Sequence, residues 1–95
     1  MNKKQIYEEK LQAQLDEWNA TIDTLKAKAA KEKAEAKLSY QETIEELQHK
    51  RAAAREKLQE LQLAGDDAWE ELKNGVQQAW SDLGDAVKAA TSKFK

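Results

Sequence analysis

After Ile6, apolar side chains recur at Leu11, Leu15, Trp18, Ile22, Leu25 and Ala29. They alternate four and three residues apart, the spacing of a coiled-coil seam. Beyond Ala29 the interval lengthens. Lys33, Ala36, Tyr40, Ile44, Leu47, Arg51, Ala54, Leu58 and Leu61 stay on one stripe only with extra four-residue steps. That drift toward an eleven-residue period locally unwinds a left-handed supercoil. Nothing between Asn2 and Leu63 stops a helix, and Asn2 with Gln5 makes an N-terminal cap pair. The pattern predicts one helix over residues 2–63, roughly 90 Å long at about 1.5 Å per residue.

The first break is Ala64-Gly65-Asp66-Asp67, where glycine suits the left-handed position after a helix and Asp67 with Glu70 forms a D-x-x-E capping box. A shorter amphipathic helix over about residues 67–93 is expected to follow. Gly75 and Gly84 are soft spots in it, each costing about 1 kcal/mol relative to alanine. Asp66, Asp67, Glu70 and Glu71 sit in its first turn and Lys88, Lys93 and Lys95 in its last, as the helix dipole prefers.

This second helix carries an eleven-residue repeat. Residues 66–76 align without gaps on residues 77–87, matching Ala-Trp, Leu and Val, with a weaker copy in Ala90, Thr91 and Phe94 and a degenerate one before it in Leu58 and Leu61. Eleven residues make almost three whole turns. Trp69, Leu72, Val76, Trp80, Leu83, Val87 and Phe94 therefore share one narrow face, widened by Ala68, Ala79, Ala86 and Ala90.

An isolated helix of this length is marginal in water, so its apolar face must dock. The short connection makes an antiparallel hairpin with the end of helix one the natural choice, covering Tyr40, Ile44, Leu47, Leu58 and Leu61. Such a hairpin reaches back only to about residue 36. Leu11, Leu15, Trp18, Ile22 and Leu25 are then left without cover. An antiparallel homodimer crossing near residue 32, in the Ala/Lys/Glu-rich segment 26–37, would bring the two uncovered regions together and place a three-helix bundle at each end. The competing arrangement is a monomeric three-helix bundle with a turn in that segment, which has no glycine, proline, asparagine or serine to make one.

Composition narrows the rest. The chain has 95 residues, no proline, three glycines and no cysteine, with 36% charged and 40% apolar side chains. The class is all-α, a single helical domain over residues 1–95: coiled-coil segment 1–63, turn 64–67, amphipathic repeat segment 68–95. Disulfides, thiolate metal sites and cysteine nucleophiles are excluded. Sixteen basic and eighteen acidic residues give a net charge of −2. That balance offers no basic stripe for phosphates, so a nucleic-acid partner is not expected. No stretch is long and apolar enough to span a membrane, and Met1-Asn2-Lys3-Lys4 leads into no apolar core of a signal peptide. A cytoplasmic protein is the expectation.

Candidate chemistry is sparse. Glu46 and His49 have the Glu-x-x-His spacing of di-iron carboxylate bundles, but the pair is single and His49 falls about 200° round the helix from Leu47. A surface histidine is the better reading and a metal-binding bundle the distant one. No phosphate loop, no serine with a histidine base and no carboxylate pair in an apolar cleft occurs, so neither an enzyme, a cofactor nor a small-molecule substrate is expected. Asn19-Ala20-Thr21 matches the glycosylation acceptor by chance. Lipid binding by the second helix is the serious alternative to bundle packing. Residues 66–95 hold six acids against four lysines, however, and anionic membranes favour a basic polar face.

The paired Ala-Trp-x-x-Leu repeats from Trp69 onward, the terminal Ser92-Lys93-Phe94-Lys95 and the opening from Tyr7 to Trp18 resemble a family of small bacterial coiled-coil stress-response proteins across nearly the whole chain. The resemblance implies an all-helical, non-catalytic protein and transfers no active site; the expected role is structural, through helix–helix association. The eleven-residue repeat is similar, more weakly, to those of exchangeable apolipoproteins and late-embryogenesis proteins, which lends the lipid alternative its support.

Overall fold

A computed structural model describes residues 2–94 of the chain. Three helices follow one another: α1 (Lys3–Ala30), α2 (Ala34–Leu63) and α3 (Trp69–Lys93), with no strand among the described residues. The all-α class is as expected. The bundle measures 51 × 20 × 19 Å with a radius of gyration of 15.3 Å. A compact chain of this length would have about 12 Å, so the molecule is a rod.

The uninterrupted helix over residues 2–63 is not what forms. The chain leaves helical geometry at Lys31 to Lys33, and α1 folds back antiparallel to α2. Lys31 stays near-helical at φ −93° and ψ −9°, with its N–H shared between the Lys28 and Ala29 carbonyls. Lys33 is extended at φ −73° and ψ 161°, and α2 begins without a side-chain cap. No breaker residue makes this turn; burial does. Folding back buries Leu11, Leu15, Ile22 and Leu25 against α2 and α3, outweighing the local preference of an alanine- and lysine-rich segment for helix. The uncovered stripe that argued for a partner chain is thus covered within one chain.

Two details of the second connection also differ. No glycine among the described residues has positive φ. Ala64 is extended at φ −71° and ψ 143°, and the Gly65 carbonyl accepts from the N–H groups of Ala68 (3.0 Å) and Trp69 (3.2 Å). Residues 66–68 form a turn, and the D-x-x-E box of Asp67 and Glu70 is not made, since α3 starts after Ala68 with no side-chain cap. Bringing Trp69 into contact with Tyr7 sets the entry angle of α3 and leaves Asp66 and Asp67 exposed. The Asn2 cap does form: Asn2 Oδ1 accepts from Gln5 N–H at 2.8 Å, and the Gln5 side chain answers to the Asn2 N–H. Lys93 occupies the last turn of α3 as expected, while Lys95 lies outside the described residues.

The core is one continuous apolar column with no buried polar or charged residue among those described. α3 lies mainly on α2 and more lightly on α1. It ends where the Phe94 ring stacks on Tyr40, with centroids 3.9 Å apart. From there to the Lys31–Lys33 turn the bundle is two helices thick, and a groove of about 490 Å³ opens beside the turn between Lys26, Ala29, Lys37 and Ile44.

Candidate functional site

The residues expected to pack between helices divide cleanly by depth. On α1 and α2, Leu11, Leu15, Ile22, Leu25, Tyr40, Ile44, Leu47, Leu58 and Leu61 are buried, joined by Ala29 and Ala54. On α3, Trp69, Val76, Trp80, Leu83, Val87 and Ala90 are buried, while Trp18, Leu72 and Phe94 are half-buried against the same core. Three seam assignments shift. Ile6 is 53% exposed, and Tyr7 packs in its place. The signal was in the spacing: Tyr7 precedes Leu11 by one four-residue helical step, whereas Ile6 is one residue too far back. Lys33 and Ala36 are exposed, because the seam is interrupted where the chain turns.

Polar contacts lock the end of the bundle away from that turn. Lys4 Nζ donates to the carbonyls of Ala64 (2.6 Å) and Gln62 (3.1 Å), supplying a positive charge to the C-terminal end of α2. Trp80 Nε1–H donates to the Leu11 carbonyl at 3.3 Å, a buried bond pinning the middle of α3 to α1. Arg51 reaches across from α2 to Asn19 Oδ1 at 3.2 Å. Tyr7 and Trp69 meet at 5.9 Å between ring centroids, and Lys73 Nζ stands over both rings, 5.2 and 5.5 Å from their centroids.

This aromatic corner borders a concavity on the surface. A cleft of about 370 Å³ there has Ile6, Tyr7 and Trp69 on its floor and Lys3, Lys10, Lys73 and Glu70 at its rim. Burial raises the Tyr7 phenol above its ordinary range, opposed by the Gln77 side chain. Gln77 lies close enough to temper the shift but makes no hydrogen bond of full geometry, and Tyr7 Oη is buried without a partner. A neutral phenol, three ammonium groups and one carboxylate can bind and orient charge.

Glu46 and His49 are both exposed but border different concavities, Glu46 one shared with Ala86, Ala90 and Lys93 of α3, and His49 a shallow depression with Glu45, Gln48 and Ala52. Among the described residues no three His, Asp or Glu side chains converge as metal ligands would. No described helix is long and apolar enough to cross a membrane. Comparison with protein-family models, curated proteins and solved structures finds no match to this chain.

Proposed function

We infer that the protein is a non-enzymatic, cytoplasmic helix–helix interaction protein serving bacterial stress tolerance. The observation that carries the interaction half of this reading is how the chain uses its chemistry. No charged residue is buried among those described, and most ionisable groups are spread over the outer faces of the helices. The stress half rests on the resemblance of the Trp69–Lys95 and Tyr7–Trp18 stretches to bacterial coiled-coil stress-response proteins.

The test is complementation in a bacterium that has lost the gene, challenged by heat, osmotic shock and drying. Rescue by the native chain and by a Glu46→Gln/His49→Ala double variant, with none from the core-disrupting Leu47→Asp, is the expected outcome. Failure of a correctly folded double variant to rescue would overturn the non-catalytic reading. Absence of any survival difference would remove the stress assignment.

The lipid reading draws on one specific feature. The apolar face of α3 is continuous from Trp69 to Ala90 and contains two of the three tryptophans, so a released α3 has the face of an interfacial helix. Flotation with phosphatidylcholine/phosphatidylglycerol vesicles decides between the two. The bundle stays with the soluble fraction, and comigration with vesicles would favour the membrane-surface role.

A further inference from the structure

We propose that the chain has a second, exchanged form. In it the Lys31–Lys33 turn straightens, and α1 of each of two copies packs into the α2–α3 groove of the other. The occupant of that groove is thus α1 of a second copy of this chain. This deepens the interaction reading by naming the partner. Solution mass measures it directly, so it stands or falls independently of any stress phenotype.

The first support is the phase of the two seams. Ala29, the last buried residue of α1, and Tyr40, the first of α2, are eleven residues apart. In one straight helix that separation is three turns plus about 20°, so both seams would run down one face. A hairpin needs no such agreement, because its turn can rotate one helix against the other. An antiparallel pair of straight helices does need it, since α1 and α2 of one chain must then face the same partner.

The turn itself is the second support. Lys31 stays near-helical, Lys33 departs far from helical geometry at ψ 161°, and no described residue has positive φ to resist straightening. Its neighbours from Lys26 to Lys37 are lysine, alanine and glutamate, all strong helix formers. Straightening would restore backbone hydrogen bonds that the turn leaves unmade, and the uncapped start of α2 has no side-chain bond to lose. The bundle is also two helices thick at this end, beside an open groove. Every other contact of α1 is regained from the second copy. Lys33 and Ala36, exposed in the hairpin, become the seam positions at the crossing.

The experiment is light scattering on the full chain, from micromolar to near-millimolar concentration. Samples are first warmed into partial unfolding and cooled, because exchange requires α1 to leave its groove. A dimer that forms only after this treatment, persists on dilution and extends to about 90 Å by small-angle scattering is expected, against 51 Å for the bundle. Ala34→Pro separates the two forms. Ala34 is the first residue of α2 and follows an extended Lys33, so proline fits the hairpin, but it would break a continuous helix. It should lower the dimer yield by about a hundredfold or more while the monomer keeps its helical signal. Lys33→Leu, which makes the central seam position apolar, should raise the yield. A native chain and a Lys33→Leu variant that both remain monomeric after annealing would overturn the proposal. So would a dimer that Ala34→Pro leaves unchanged or that dissociates at once on dilution.

Discussion

Gly75 and Gly84 share a helix but not an environment. A Cβ built on Gly75 meets nothing within 4 Å, whereas one on Gly84 comes within 3.0 Å of Cζ2 of Trp18. Gly75→Ala should therefore collect the full helix-propensity gain of about 1 kcal/mol, raising the melting temperature by several degrees. At Gly84 the half-exposed Trp18 ring must tilt to admit a methyl group, so Gly84→Ala gains less. Gly84→Leu should cost about 1–3 kcal/mol by forcing α3 off the ring. Thermal unfolding of the three variants checks the order. Both glycines read from sequence as equal soft spots, because spacing does not reveal that one lies under a tryptophan of another helix. Tyr7 makes the other residue-scale case. Its phenol titrates higher in the folded chain than in the unfolded one, so the folded state holds its proton longer. Stability is therefore unaffected below the unfolded phenol's pKa, about 10, and falls as pH rises from there through the folded value. Tyr7→Phe removes the unpaired hydroxyl and the ionisation together. Denaturant midpoints measured across alkaline pH should show the variant more stable by about 0.5–1 kcal/mol near neutrality and flatter above pH ~10.

The contrast between α1 and α2 at their starts is one of caps. α1 opens on a complete Asn2–Gln5 capping box; α2 opens on Lys33, extended as a cap residue should be but with no side-chain acceptor to offer. Lys33→Ser or Lys33→Asp should supply that acceptor and stabilise the hairpin by about 1 kcal/mol, read as a higher denaturant midpoint. The same substitutions should reduce annealed dimer. Helix periodicity and nearly all buried positions were written in the spacing of apolar residues, and the Asn2 cap and the break near Gly65 in residue type. The turn at Lys31–Lys33 was not, since its residues favour helix and its existence rests on long-range burial of Leu11, Leu15, Ile22 and Leu25. The unused Asp67–Glu70 box failed for the same reason: docking of Trp69 decides where α3 begins.

For the whole molecule, charge distribution sets the conditions under which one chain meets another. Residues 26–37 hold five lysines and two glutamates, a surplus of three positive charges in a chain whose net charge is −2. Two copies crossing there would bring these surpluses together. Raising salt from low to physiological strength shortens the Debye length from about 30 Å to about 8 Å. Annealed dimer yield should rise across that range, as light scattering of parallel samples would show. The tryptophans add a consequence of another kind. Trp18 lies over Gly84, Trp69 against Tyr7 and Trp80 on the Leu11 carbonyl, so all three sit where α1 meets α3. Exchange of α1 between copies rebuilds each of these surroundings, and the emission spectrum should not move while the mass doubles. Departure of α3 onto a vesicle would strip Trp18 of its cover and carry Trp69 and Trp80 within reach of brominated acyl chains, shifting one emission and quenching the others. The seam between the first and last helices is in effect an optical gauge, blind to one change of partner and sensitive to the other.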